Sequence, residues 1–456
     1  MRGAGGLGVR GLALFLTHYV RTKYRRQWSG REALERWQER QVQKRLRFVR
    51  KHSPFYRELW GGRPLTEWRE FPVIDKAVMM EHFDRLNTAR IRKKEAMELA
   101  LEAERTRNFT PQLGGITVGL SSGTSGSRGL FLVSSDEQAA WAGMMLAKVL
   151  PGPLWQREKI AFFLRANSNL YASVGSGRLQ FEYFDLLEDT QKHVERLNRY
   201  QASIWAAPPS VLRQLAEQKR IGRLTAVPRR MVSVAEVLDP VDAEVIRDTF
   251  GLPIHQVYQC TEGFLASTCS HGTLHLNEDI VHIGKEAVPD DPGGRRFVPI
   301  ITDFSRTTQP IIRYRLNDVL TEAEQPCPCG SPFTAIERIE GRCDDIFYIE
   351  RTEDGKLKPV YPDFITRAVL AASSAIREYR VIQQVEETLT VELLLQDGAS
   401  QAEVERQVTA SVEALMLRLG CRMPDLIFTG YTHPEGARKL RRVERRWAIE
   451  RTRLPL

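Results

Sequence analysis

The sequence predicts an α/β protein: a large N-terminal α/β region with a parallel-rich sheet, then a small C-terminal α+β unit. Three observations carry this. Between residues 159 and 258, apolar strand-like runs alternate with amphipathic helical patterns, the texture of successive β-α-β units. After Gly341-Arg342 the pattern changes to a strand pair, one long amphipathic helix and another strand. At 456 residues the chain is also too long for one ordinary core, so two or more domains are expected.

In chain order, residues 1–110 read as a mostly helical lead-in. Arg2 and Arg10 precede a short apolar run at 12–16, far below the ~20 residues of a membrane span. His18 interrupts it, and a basic run at 21–26 stands where a leader's small-residue cleavage site belongs. This predicts an amphipathic helix lying on the protein, with no stable membrane insertion and weak association left open. Ser29 and Glu32 have the spacing of a capping box. Leu34, Val42, Leu46 and Val49 then share one helical face, and Ser53-Pro54 ends that helix. A charged helix follows at 93–107.

Strands are expected at 116–120, 130–133, 159–164, 203–207, 231–234 and 254–258. Helices are expected from Ser210 and from Asp239-Pro240 to Phe250. In the C-terminal part, strands at 379–382 and 389–395 precede a helix with Val404, Val408, Val412, Leu415 and Leu419 on its apolar face. Gly420 stops that helix, and 426–430 is read as the last strand. The expected domains are 1–343 and 344–456, with the boundary at Asp344-Asp345.

Hydrophobic residues make up 42% and charged residues 27%, proportions that exclude a disordered or membrane-embedded chain. Net charge is +9, concentrated at 21–26 and 438–442. No zinc finger, RNP box or basic-zipper heptad accompanies it, which argues against nucleic acid as the partner. Six cysteines are no disulfide framework. They suit a reducing, cytoplasmic compartment and leave metal binding open.

The most informative segment is Ser121-Ser122-Gly123-Thr124-Ser125-Gly126-Ser127-Arg128-Gly129. Its glycines permit positive φ, its hydroxyls donate, and Arg128 adds charge, so exposed amides there form a nest for a triphosphate. A flexible linker fits poorly, because two predicted hairpin strands bracket the loop. It lacks the spacing of a Walker loop.

Three further segments follow: Tyr258-Gln259-Cys260-Thr261-Glu262; Pro310-Ile311-Ile312-Arg313-Tyr314-Arg315-Leu316-Asn317-Asp318; and Gly341-Arg342-Cys343-Asp344-Asp345. With the loop, they resemble the adenylate-forming superfamily of acyl-CoA ligases, luciferases and adenylation domains. The narrower resemblance is to the branch of phenylacetate–CoA ligase, CapK and coenzyme F390 synthetase. It extends from Ser121 to Lys439, and four motifs in the same order make it specific.

The resemblance implies an N-terminal adenylation domain, a mobile C-terminal lid, and roles for particular residues. Ser121, Ser122, Gly123, Thr124, Ser125, Gly126 and Arg128 would hold the ATP phosphates, Thr261 the α-phosphate, and Glu262 a Mg²⁺ ion. Tyr258 would lie on adenine opposite Ala235 and Glu236, Asp318 would accept the ribose hydroxyls, and Arg342 would lie beside them. Lys439, the only lysine in 436–443, would be the catalytic lysine. Taken singly, Asp318 reads as a turn residue, Glu262 as a surface acid, Tyr258 as core packing and Lys439 as part of a solvated basic tail. The loop also departs from the branch pattern, being one residue shorter and carrying Arg128 where lysine is usual.

Cys269, His271, His275, Cys327 and Cys329 supply three thiols and two imidazoles, enough for a closed tetrahedral zinc site. The branch carries a similar pattern. Cys269, His275, Cys327 and Cys329 are the chosen ligands and His271 the substitute, with reduced structural cysteines as the alternative of equal weight.

The implied reaction joins a carboxylic acid to ATP, giving acyl-AMP and pyrophosphate, and then passes the acyl group to CoA. Its rivals are transfer to an amine or carrier thiol, adenylyl transfer to a phenolic hydroxyl, and a non-catalytic nucleotide-binding protein. Phe162, Phe163, Tyr171, Phe181, Tyr183 and Phe264 suit either an apolar pocket for an aromatic acid or the sheet core. A homodimer is one expectation for the assembly.

Overall fold

The computed structural model describes residues 8–25, 28–121, 129–164, 178–186, 188–288, 291, 293–432 and 441–447. It divides into two compact units. Unit one takes Met1–Lys285, Pro299–Leu316 and Glu322–Glu337. Unit two takes Glu286–Val298, Asn317–Thr321 and Arg338–Leu456. The chain thus leaves unit one twice and returns before its final exit.

Unit one opens with α1 (Val9–Val20), continued by a π-helical turn at Arg21–Arg25, then α2 (Arg31–His52) and α3 (Pro54–Trp60). α2 buries Leu34, Val42, Leu46 and Val49 on one face, as the periodicity predicts. The capping box at its start is corrected: Gly30 is the N-cap and no side chain caps the helix. Ser29 falls one residue too early to reach the first-turn amides, and Glu32 faces Arg36 at 3.4 Å. Ser53 ends α2 and opens α3 by accepting from the Tyr56 amide.

α4 (Lys76–Glu81), α5 (Phe83–Leu86) and α6 (Lys93–Thr106) lead to an antiparallel sheet of β1 (Gln112–Leu113), β2 (Ile116–Leu120) and β3 (Leu130–Ser134). The predicted hairpin is present, with Leu120 opposite Leu130. α7 (Ser135–Val149) follows, opened by a complete capping box of Ser134 and Glu137.

The alternating segment gives β4 (Glu158–Leu164), β5 (Leu179–Asp185), α8 (Thr190–Tyr200), β6 (Ile204–Ala207), α9 (Pro209–Arg220), β7 (Arg230–Ser233), α10 (Pro240–Phe250) and β8 (Ile254–Cys260). The strands lie in the order β5-β4-β6-β7-β8, all parallel. Both sheet faces are buried, as parallel sheets require. Ile160, Ile204 and Val232 face Phe15, Tyr19 and Ala142; Ala161, Phe163, Trp205 and Met231 face Val194, Leu212 and Ile246. Two of the six aromatic candidates are therefore core: Phe163 and Phe264 are fully buried in these layers. Phe162 and Phe181 stack half-buried, Tyr183 accepts from Arg107, and Tyr171 lies outside the described residues.

β9 (Gly263–Thr268) turns back antiparallel to β8, and β10 (Leu274–Leu276) pairs antiparallel with β9. β11 (Val281–Ala287), β12 (Arg296–Asp303), β13 (Tyr314–Arg315), β14 (Asp318–Glu322) and β15 (Ala335–Arg342) follow. Ile300 is opposite Arg315 in unit one, and Arg296 is opposite Thr321 in unit two.

Unit two then adds the hairpin β16 (Phe347–Glu350) and β17 (Leu357–Val360), α11 (Pro362–Ala372), β18 (Ile376–Val385), β19 (Thr388–Leu395), α12 (Gln401–Leu419), β20 (Asp425–Gly430) and β21 (Val443–Arg445). Its four-stranded sheet has the order β20-β19-β18-β21. The predicted face of α12 (Val404, Val408, Val412, Leu415) packs on Val381 and Val391, with Leu419 partly buried at its edge. The expectation that 426–430 is the last strand is corrected by β21. At three residues, with Val443 alone buried, β21 shows no readable period.

Candidate active site

The described ends of the glycine-rich loop are pinned to each other. The Ser121 amide donates to the Gly129 carbonyl at 2.8 Å, and the Gly129 amide donates to Ser121 Oγ at 2.8 Å. The Lys76 stem passes close over Gly129: a Cβ there would lie 2.9 Å from Lys76 Cε. Ser122, Gly123, Thr124, Ser125, Gly126 and Arg128 lie outside the described residues, as does Lys439.

Thr261 and Glu262 form the tight turn between β8 and β9. Tyr314 Oη donates to Glu262 Oε1 at 3.0 Å, and Thr261 Oγ1 donates to Oε2 at 2.8 Å. Burial, reinforced by the charge of Glu262, pushes the Tyr314 phenol far above its ordinary pKa, so it remains a donor. Each carboxylate oxygen keeps a second lone pair, so the turn can still bind a cation.

Sequence reasoning quoted Tyr314 inside a motif but missed this role, and it missed Arg306 altogether. Arg306 donates to the Thr261 carbonyl at 2.7 Å and to the Leu132 carbonyl at 3.2 Å, tying the turn to the strand that leaves the loop. Gln309 holds the same strand, donating to Leu130 O and accepting from the Leu132 amide. Asp303 fixes the approach by accepting from the Ser305 and Arg306 amides. The available signal was a polar run, 305–309, set between two apolar ones.

Ser233 at the end of β7 lies opposite Gln256 in β8, so Ala235 and Tyr258 both come to the carboxyl edge of the parallel strands. Ligands of open α/β sheets bind at that edge. Ala235 is exposed with φ +69°, a left-handed conformation that an L-residue adopts only under constraint. Tyr258 is half-buried. Glu236 is engaged elsewhere: its carboxylate accepts from Ser210 Oγ at 2.7 Å and from the Ser210 amide in the first turn of α9.

In unit two, the Cys343 amide donates to the Asn317 carbonyl at 3.0 Å, and Asn317 Nδ2 donates to Asp344 at 2.5 Å. These bonds set Asp318, first in β14, beside Arg342, last in β15. Asp345 is buried and paired with Arg441; burial nonetheless raises its pKa. Arg442 pairs with Glu378 at 2.9 Å, anchoring the described end of the basic run.

The four chosen metal ligands come together in unit one. Their ligand atoms all lie within 4.8 Å of one another. Cys269 Sγ is 3.7 Å from Cys327 Sγ, and Cys329 Sγ is 3.4 Å from His275 Nε2. A tetrahedron with metal–sulfur bonds of ~2.3 Å has edges of about 3.8 Å, so the spacing fits zinc. His275 Nδ1 lies 3.1 Å from the Phe333 carbonyl, which can only accept. The proton is therefore on Nδ1 and the Nε2 lone pair faces the thiols, the tautomer a metal needs. Hydrogen bonds from the Thr273 side chain and the Cys329 backbone lower the Cys327 thiol to about 6, while burial pushes Cys329 up to about 11. His271 stands apart from the cluster; its amide donates to Cys269 Sγ.

No protein-family model matches the chain. It is 28% identical over 120 residues to a phenylacetate–coenzyme A ligase of Thermus thermophilus, 25% of either chain. It is 22% identical over 226 residues to protein CapK of Staphylococcus aureus, 48% of either chain. The matches thus span a quarter and about half of the length of these relatives. In fold it is similar to 2-hydroxyisobutyryl-CoA ligase in the postadenylation state with its acyl adenylate. The TM-score is 0.67 at 19% identity, covering 92% of this chain and 90% of that one. The same ligase in an open conformation with the adenylate and CoA gives 0.54. The chain has the fold of the adenylate-forming acyl-CoA ligase superfamily, a large α/β region followed by a smaller C-terminal unit.

Proposed function

We propose that this protein is an ATP-dependent acid–CoA ligase that makes an acyl-AMP, releases pyrophosphate, and transfers the acyl group to the CoA thiol. The observation that carries this reading is the Arg306 bridge. One guanidinium joins the Thr261-Glu262 turn to the strand leaving the glycine-rich loop, so the two segments that would hold ATP phosphates are fixed to each other.

In this reading residues 121–129 cradle the β- and γ-phosphates, Thr261 contacts the α-phosphate, and Tyr314 keeps the Glu262 carboxylate in position. Glu262 would hold a Mg²⁺ ion, which supplies neutralisation of phosphate charge as pyrophosphate leaves. Tyr258 and Ala235 receive adenine. Glu236 contributes through its backbone, because its carboxylate is already engaged by Ser210. Asp318 takes the ribose hydroxyls, with Arg342 alongside. Residues 344–456 act as a mobile unit carrying Lys439, whose cation offsets repulsion as carboxylate approaches the α-phosphate. Cys269, His275, Cys327 and Cys329 hold one zinc ion; four protein ligands leave it no open position, so its part is structural. The acid is of the small or aromatic class, and the site of action is the cytoplasm.

A pyrophosphate-release screen over carboxylic acids, with and without CoA and with hydroxylamine as trap, tests this. Release with at least one acid, hydroxamate formation, and thioester when CoA is present are expected. Lys439→Ala should slow acyl-AMP formation about a hundredfold, yet leave thioester formation from synthetic acyl-AMP nearly unchanged. Tight ATP binding without release on any acid would make this a non-catalytic nucleotide-binding protein.

A further inference from the structure

Among the described residues, α1 buries one apolar edge and leaves an adjoining apolar stripe exposed. Inward, Phe15 and Tyr19 are buried against α7. Gly143 makes that packing close, since a Cβ there would lie 2.4 Å from the Phe15 carbonyl oxygen. Outward, Val9, Leu12, Leu16 and Val20 are 90%, 48%, 43% and 36% exposed. At 100° per residue they fall within about 80° of one another. Tyr24, in the π-helical turn that follows, is also exposed but packs edge-on against Tyr19. Scattered exposed apolar residues are ordinary, but four aligned on one helix are not.

The stripe has a basic flank. Arg21 and Arg25 are exposed at its end, and Lys44 of α2 is exposed nearby. His18, Arg21, Lys44 and Arg45 line a cavity of about 320 Å³ at the foot of α1. Three acids also line it, and each is engaged: Asp136 by Arg10, Glu137 by Ser134 and Thr308, Asp279 by Lys148. Among the described residues, Arg21, Arg25 and Lys44 have no acidic partner.

We propose that α1 seats this protein on an anionic lipid bilayer. Its apolar stripe enters the boundary between headgroups and acyl chains, and Arg21, Arg25 and Lys44 meet lipid phosphates. An apolar helix face bordered by cations is the pattern of an interfacial helix, and no described helix is long and apolar enough to cross a membrane. A second copy of the chain is a poorer occupant. The 12-residue α1 is about 18 Å long, so its stripe covers a few hundred Å², below the roughly 800 Å² per partner of a stable interface. A two-fold contact there would also bring the basic flanks toward each other. The inference is independent of the proposed chemistry.

Sedimentation of the full chain with vesicles of phosphatidylserine and phosphatidylcholine, against phosphatidylcholine alone, tests this. Binding at least about tenfold tighter to the anionic vesicles is expected, weakening with salt. Leu12→Ser with Leu16→Ser should lose about tenfold or more, and Arg21→Glu with Arg25→Glu a similar factor. Both pairs should melt as the parent does, since the changed side chains are exposed. Equal or absent binding to the two vesicle types overturns the proposal, as does unchanged binding by both variant pairs. A dimer in solution that Leu12→Ser with Leu16→Ser converts to monomer assigns the face to a second copy instead.

Discussion

The two ends of β9 make an instructive pair. At its start the Glu262 carboxylate is held by hydroxyl donors from Thr261 and from the buried Tyr314, and Arg306 secures the turn. At its end Cys269 joins His275, Cys327 and Cys329, whose mutual contacts are weak sulfur interactions of 3.4 to 3.7 Å. The first end is completed by the polypeptide. The second offers a donor set that suits a cation, because thiols are poor hydrogen-bond partners for one another while thiolates are strong metal ligands. One end should therefore tolerate loss of ligand, and the other should not.

The comparison breaks most visibly at Glu262. Glu262→Gln keeps the Tyr314 donor on its one oxygen, lets the Thr261 hydroxyl turn to accept from the new amide, and removes the charge. Pyrophosphate release should therefore fall a hundredfold or more, on the order of 3 kcal/mol, with melting nearly unchanged. A normal rate in that variant would remove Glu262 from the chemistry. At the other end the expectation inverts. Cys327→Ser should abolish bound zinc by elemental analysis and lower unfolding stability by about 3 kcal/mol. A metal-free preparation as stable as the parent would leave the cluster as reduced thiols.

Acid sharpens the contrast through a group at neither end. His282, half-buried with its ring edge-on to Trp68, is held near pKa 4 by desolvation and then by the charge of Arg69. Its folded pKa lies below the unfolded value of ~6.5, so the unfolded chain binds the extra proton between those values. The contribution of neutral His282 is complete above pH 6.5 and is lost as the pH falls toward 4, by about 2–3 kcal/mol. Denaturant midpoints should decline across that window in the parent and less in His282→Gln; parallel declines would exclude this histidine. The smallest effect belongs to Tyr314→Phe. Losing one hydrogen bond to a charged group should slow pyrophosphate release roughly tenfold, about 1.5 kcal/mol, with zinc content unchanged.

The motifs were readable because each is a local string whose chemistry does not depend on distant residues. What held them was not readable. Arg306 reaches Thr261 across 45 positions and Leu132 across 174, and no local pattern marks a guanidinium that will be aimed at two carbonyls. Glu236 shows the converse. Its place beside Ala235 was legible, but the preference of its carboxylate for Ser210 came from the arrival of α9. Ser29 and Glu32 had the right spacing for a cap, and one residue of offset at Gly30 removed it.

By itself the sequence determined the period of each long element, the position of the glycine-rich loop between two hairpin strands, and the set of thiols and imidazoles from which the cluster is drawn. These follow from backbone geometry and side-chain type, which act over a few residues. Only the tertiary structure decided which tyrosine and arginine hold the Thr261-Glu262 turn, and which side of α1 is left exposed among the described residues. Those choices depend on burial and on pairing between segments far apart in the chain. A carboxylate, a thiol or an apolar stripe takes its role from what folding brings against it.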